Sequence, residues 1–218
     1  MTTRFTAVIF DLDGLVLDTE TTYRLAWERA ATDMGHSLND AFFAGLSGLQ
    51  GSEVEAALLA ELGTDFALAD FKQRGDRHWQ RHVDRHGIAV KPGFHALLEH
   101  IQRRRLPFGL ATNSRRHYAE LCLRLAGLDA TFPIMAARED VARGKPAPDV
   151  FLQAARLLGA EPDSCLVLED SLPGLTAAHQ AGMAPVLITH CADTARAGAE
   201  LALRVLPTLD AVVTAGLL

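Results

Sequence analysis

Asp11 and Asp13 stand two residues apart, after the apolar run Ala7-Val8-Ile9-Phe10 and before Gly14. Two carboxylates at that spacing suit a hard divalent cation, with one oxygen left for chemistry. A strand cannot cheaply bury unpaired carboxylates. The pair therefore belongs at the carboxyl end of a buried strand, where open α/β sheets gather their ligands. Three further polar groups fall at equivalent places: Thr112-Asn113-Ser114, Gly144-Lys145-Pro146 and Glu169-Asp170. A carboxylate nucleophile needs a cation to stay ionised and to neutralise an incoming phosphate. Lys145 supplies a point charge, and Thr112 a hydroxyl beside a backbone N–H. Glu169 and Asp170 complete a metal site with the first pair. Lys145 is one of only three lysines, with Lys72 and Lys91.

The elements that must position these groups alternate. A strand at 7–10 is followed by helical patterning that starts near Asp18-Thr19 and stops at Gly35. A second helical piece begins near Asn39-Asp40, and a glycine-rich loop spans 44–52. Ser52 and Glu55 there form a possible capping box. Helices are predicted over 53–62 and 66–86, and nothing from 16 to 90 reads as a strand. After Val90-Lys91-Pro92-Gly93 the alternation resumes. Helices are predicted over 94–105, 115–126, 147–159 and 172–182. The strands between and after them are Pro107–Ala111, Ile134–Ala136, Leu166–Leu168, Pro185–Ile188 and Arg204–Leu206, with a last helix over Leu209–Ala215. Repeated strand–helix units predict an α/β fold with a parallel sheet and right-handed crossovers. The expected organisation is a Rossmann-like core at 1–15 and 92–218, with an all-helical insert at 16–91.

The ordered set Asp-Leu-Asp-Gly-Leu-Val-Leu-Asp-Thr, Thr-Asn-Ser, Gly-Lys-Pro-Ala-Pro-Asp-Val-Phe and Glu-Asp-Ser-Leu-Pro-Gly resembles the haloacid dehalogenase superfamily. It is similar to the branch with a helical cap inserted after the first motif, which holds β-phosphoglucomutase-like enzymes and small-metabolite phosphatases. The resemblance covers nearly the whole chain. It implies that Asp11 is the nucleophile that becomes an aspartyl-phosphate. Asp13 would be the general acid for the leaving oxygen and then the base for water. Asp11, the Asp13 carbonyl and Asp170 would bind Mg²⁺, and Glu169 would ligate the ion or orient one of its waters. Thr112 and Lys145, with Asn113 and Ser114, would bind the substrate phosphate. The activity implied is a Mg²⁺-dependent phosphatase for a small phosphorylated metabolite of the sugar or nucleoside type.

Other chemistries in the resemblance fit less well. Dehalogenases lack the second aspartate, and phosphonatases need a cap lysine, where this insert has only Lys72 and the exit Lys91. Phosphomutases carry a histidine where this chain has Tyr23, and a basic residue in a cap loop where 44–52 has none. A phosphomutase is the alternative reading, and a non-catalytic ligand-binding homologue would have lost a nucleophile or metal ligand that is present here.

Composition bounds the rest. The 218 residues are 49% hydrophobic with a formal net charge of −6, which supports a real core and argues against nucleic acid as partner. No apolar run approaches a membrane span, and no signal-peptide pattern opens the chain. Cys122, Cys165 and Cys191 have no metal-like spacing and read as reduced, mostly buried thiols of a cytoplasmic protein, with a monomer as the expected state. His78, His82 and His86 recur every four residues beside Arg74, Arg77, Arg81 and Arg85. A solvated helix face is the plain reading, with a substrate-steering surface or metal site as alternatives. Trp27 and Trp79 are expected to pack, and Arg103-Arg104-Arg105 to complement a helix end. Arg115 and Arg116 are expected at the surface, within possible reach of phosphate.

Overall fold

The computed structural model describes residues 5–46 and 51–218. Six parallel strands form one sheet in the order β3-β2-β1-β4-β5-β6. These are β1 (Ala7–Phe10), β2 (Phe108–Ala111), β3 (Met135–Ala136), β4 (Cys165–Glu169), β5 (Ala184–Ile188) and β6 (Arg204–Leu206). The chain starts in the middle at β1, steps out to β2 and β3, then returns to the other side of β1 as β4. That reversal is the switch point of a Rossmann-like sheet, where a crevice opens at the strand carboxyl ends. Register is tight there: Phe10 pairs with Leu110 on one side and Leu168 on the other.

Strand β1 is buried along its whole length because both faces are covered. Ala7 and Ile9 share a core cluster with Val150, Phe151, Ala154 and Ala178. Phe10 meets Phe94 and Phe132 edge to face, with ring centroids 5.8 and 5.7 Å away. The covering helices are α5 (Phe94–Arg103), α6 (Arg116–Leu125), α7 (Asp149–Leu158), α8 (Leu172–Gln180), α9 (Ala192–Gly198) and α10 (Ala211–Thr214). Helix α9 was not expected: Ala-Asp-Thr-Ala-Arg-Ala-Gly carries no apolar period, and of its residues only Gly198 is buried.

The chain divides into two compact units. One runs to Asp18 and resumes at Ala89; the other is Thr19–Ile88. The insert is thus narrower than the expected 16–91, for a local reason. Leu17 forms an antiparallel bridge with Val90, the Asp18 N–H donates to the Ala89 carbonyl at 2.9 Å, and Lys91 N–H donates to Val16 at 2.9 Å. These bonds hold 16–18 and 89–91 to each other, within the α/β unit. The Leu17–Val90 bridge is a strand-like pairing that the sequence reading did not contain.

The second unit is helical: α1 (Thr19–Asp33), α2 (Asp40–Gly45), α3 (Gly51–Leu62) and α4 (Leu68–His86). Helix α4 buries Phe71, Gly75, Trp79 and Val83, one residue every four, and so offers one stripe to α1. Trp79 packs as expected: Tyr23 stacks on it with centroids 5.5 Å apart, and its indole N–H donates to Thr22 Oγ1 at 3.1 Å. Trp27 lies edge-on to Phe71. Asn39 caps α2 by accepting from Phe42 N–H at 2.9 Å. The expected loop at 44–52 is shorter than predicted, because residues 44–45 end α2 and residues 51–52 open α3; residues 47–50 and the Ser52 side chain, with the Ser52–Glu55 capping box, lie outside the described residues. Among the described residues no helix is long and apolar enough to cross a membrane.

Candidate active site

Strand ends bring the chemistry together. Asp11 follows β1, Thr112 follows β2, and Glu169 ends β4, so three neighbouring strands deliver their polar residues to one edge. The Asp11 N–H continues the sheet by donating to Leu168 at 3.0 Å, and Thr112 N–H does the same to Ala136 at 3.0 Å. The side chains are placed by the ladder and not by loop geometry alone.

Lys145 is the centre of the arrangement. It is only 4% exposed. Its ammonium donates to Asp11 Oδ1 and, at 2.6 Å, to Glu169 Oε1. The same nitrogen sits 4.7 Å from the centre of the Phe151 ring. A buried ammonium is tolerable only with such partners. Burial alone would pull its pKa down, but the two carboxylates outweigh it and hold the charge. Asp11 is also shifted upward, toward its neutral form. Burial raises it most, Lys145 opposes, and Glu169 and Asp13 add to the rise.

Carboxylate oxygens of Asp11, Glu169 and Asp170 all lie within 4.8 Å of one another. Three acids against one ammonium leave an excess of negative charge at a buried point. That donor set, all hard oxygen, fits a divalent cation such as Mg²⁺. Gly14 belongs to the same construction: at φ +83, a Cβ there would collide with Asp170 Oδ2. Glycine is required both for the turn and for that carboxylate's approach. The Asp13 carboxyl is outside the three-acid group. Its Oδ2 accepts from Ser114 Oγ at 2.6 Å, and Thr112 Oγ1 lies 3.5 Å away.

Each sequence-predicted site residue is thus at this edge, and several already have protein partners there. Ser114 and Thr112, expected on phosphate, here hold the Asp13 carboxyl, and Ser114 N–H also donates to Thr112 Oγ1 at 2.9 Å. Asn113 is the clearest departure. Its amide nitrogen donates to the Lys145 carbonyl at 3.1 Å and its amide oxygen accepts from Lys145 N–H at 2.8 Å. Both ends of the amide engage the Lys145 backbone, so Asn113 fixes that loop. Gly144 makes room for it, since a Cβ would stand 2.6 Å from Asn113 Oδ1. Glu169, expected to ligate the metal or orient one of its waters, has Oε1 on Lys145 and Oε2 accepting from Asp170 N–H, Ser171 N–H and Ser171 Oγ at 2.9 to 3.0 Å. Sequence reasoning missed Phe151. Its place in the Pro-Asp-Val-Phe run, two residues into α7, was a signal for core packing only. Arg116 is tied to Asp140 at 2.5 Å and to the Met135 carbonyl at 3.0 Å, which makes it a brace for β3.

Comparison with known proteins bears on this geometry. A family model described as haloacid dehalogenase-like hydrolase matches residues 5–182. The phosphorylated carbohydrates phosphatase of Thermotoga maritima is 32% identical over 177 residues, which are 81% of this chain and 82% of that protein. The β-phosphoglucomutase of Bacillus subtilis is 31% identical, covering 81% of this chain and 80% of its own. A crystal structure of a family hydrolase from Deinococcus radiodurans R1, with bound phosphate and sodium, superposes with a TM-score of 0.81 at 29% identity, over 100% of this chain and 99% of that one.

Proposed function

From the premise that this chain belongs to the haloacid dehalogenase-like hydrolases, we propose that it is a Mg²⁺-dependent phosphatase of a small phosphorylated metabolite, of the sugar phosphate or nucleoside phosphate type. The observation that carries the reading is the convergence of Asp11, Lys145, Glu169 and Asp170 at the sheet's switch point, with Asp13 held beside them by Ser114. The carbohydrate-phosphate phosphatase relative supports the substrate class.

In this reading an Asp11 carboxylate oxygen attacks phosphorus, and the bond from phosphorus to the leaving oxygen breaks. Asp13 gives its proton to that oxygen. Water then attacks the aspartyl-phosphate, Asp13 takes the water's proton, and the bond from phosphorus to Asp11 breaks to release phosphate. Asp11, Asp170 and the Asp13 carbonyl would hold the Mg²⁺, which when bound neutralises charge on the phosphoryl oxygens and keeps Asp11 ionised. Lys145 holds Asp11 in line and sets its positive charge beside the incoming phosphoryl group. Thr112 and Ser114 are placed to exchange Asp13 for phosphate as the substrate arrives. The helical unit, Thr19–Ile88, acts as the cap that selects substrate.

The test is phosphate release from an aryl phosphate. Activity should vanish with EDTA, return with Mg²⁺, and fall below roughly a thousandth in Asp11→Asn while the protein stays folded. Turnover by Asp11→Asn at more than a few per cent of wild type would rule out covalent catalysis on that residue. The β-phosphoglucomutase relative keeps a phosphomutase as the second reading. The position where mutases carry histidine holds Tyr23, whose ring is stacked on Trp79. Following β-glucose 1-phosphate separates the two: free phosphate from a phosphatase, glucose 6-phosphate from a mutase.

A further inference from the structure

The helical unit carries an open groove of about 570 Å³ lined by Asp33, Arg74, Arg77, His78, Gln80 and Arg81. Its lining sets three guanidiniums against one carboxylate in a chain whose net charge is −6. The groove is built, not a row of loose side chains. His78, whose side chain is 13% exposed, has Nε2 2.7 Å from Asp33 Oδ2 and Nδ1 3.2 Å from an Arg81 terminal nitrogen. An arginine can only donate, so Nδ1 accepts and the ring proton sits on Nε2, pointing at Asp33. Arg81 Nε donates to the Arg77 carbonyl at 3.2 Å. The Arg81 guanidinium is therefore oriented from two sides, with N–H groups to spare. Arg74, another lining residue, is held by Nε to Asp70 at 3.0 Å. Arg77 adds a third guanidinium one turn below Arg81.

We propose that this groove binds the oligophosphate group of a small anion, independently of the catalytic cluster and of its metal. Three guanidiniums along one helix match several phosphate oxygens by paired N–H donors, where a single carboxylate would engage only one. The volume falls within the range of small-molecule sites, and it limits the occupant to something the size of tripolyphosphate or a nucleotide. The imidazole ligand reading of the histidines does not hold. Among the described residues the one group with metal-ligand spacing is Asp11, Glu169 and Asp170, and both nitrogens of His78 are engaged.

The experiment uses the full chain in EDTA at fixed ionic strength. Without a cation the acids around Lys145 repel polyanions, so binding reports the groove. Calorimetric titration with tripolyphosphate should show one saturable site per chain. Its affinity should fall at least ~10-fold in Arg77→Ala/Arg81→Ala, whose helix content and Mg²⁺-dependent aryl phosphatase rate stay as in wild type. ATP and adenosine are the distinguishing arms: adenosine should not bind, and ATP binding tighter than tripolyphosphate would identify a nucleotide's phosphates as the occupant, equal binding the free oligophosphate. Absence of saturable binding, or equal affinity in the double variant, overturns the proposal. Affinity in Asp11→Asn should match wild type, and a gain there, where a repelling carboxylate has been removed, would place the anion at the catalytic cluster and likewise overturn it.

Discussion

The charges around Lys145 and the charges along α4 obey opposite rules. In the α/β unit the Lys145 ammonium is buried, and Asp11 and Glu169 are its partners at hydrogen-bond distance. In the helical unit Arg74, Arg77 and Arg81 line an open groove, with Arg74 and Arg81 held by neighbours one turn away. Burial makes the first group energetically expensive to leave incomplete. Exposure makes the second inexpensive to alter, because water replaces any lost partner. The contrast lets the same chain hold one set of charges rigidly for chemistry and present another for exchange with solutes.

Lys145→Met should break that comparison most severely. It leaves the Asp11 and Glu169 carboxylates buried without their cation, and urea unfolding in EDTA should show a loss of ~3–5 kcal/mol. A loss below about 1 kcal/mol would mean the cluster is open to water in solution. Asn113→Ala is next. It removes two hydrogen bonds to the Lys145 backbone while leaving every charge in place. We expect kcat for an aryl phosphate to fall ~10-fold with KM changed less, and stability to drop by ~1–2 kcal/mol. A change confined to KM would return Asn113 to phosphate binding.

The cysteines sharpen the contrast by another measure. Burial pushes the Cys122 thiol up to about 12 and Cys165 up to about 11. Exposed Cys191 is lowered by hydrogen bonds from the Thr194 hydroxyl and the Thr194 and Asp193 N–H groups. Iodoacetamide at pH 8 should label Cys191 at least ~10-fold faster than either of the others, as read by peptide mass mapping. The smallest effect belongs to a surface pair. Arg103 and Glu99 meet at 2.7 Å, but their side chains are 62% and 68% exposed. Arg103→Ala should therefore shift the unfolding midpoint by no more than ~0.5 kcal/mol of stability.

What could be read from the sequence followed the reach of each signal. The strand ends were legible because Ala-Val-Ile-Phe and Leu-Val-Leu admit no amphipathic alternative, and acids cannot follow such runs except at an edge. Strand β6 was found at Arg204–Leu206 as expected. Helix ends came out a residue or two long, as at 94–105 against Phe94–Arg103, because Arg104 and Arg105 carry no stop signal, yet the chain leaves the helix there with Arg105 at φ 55. Helix α9 escaped because alanine, threonine and arginine carry no period to detect. At the site, the identities of Asp11, Asp13, Lys145, Glu169 and Asp170 were visible, but not who holds whom. Asn113 and Lys145 are 32 residues apart, and nothing local to either announces a clasp between amide and backbone. Phe151 looked like core because it is core, and the ammonium over its ring is known only once the two are in place.

The short ladder at Leu17 and Val90 has a consequence for how such a chain can be re-engineered. A seventy-residue excursion that departs and returns at adjoining backbone positions, 2.9 Å apart at Asp18 and Ala89, imposes almost no geometric demand on its host. A tight turn could bridge the gap, or a foreign module with neighbouring termini could take its place, and the sheet would close as before. The helical unit can thus be traded as a cassette, while the acids at the strand ends keep their register.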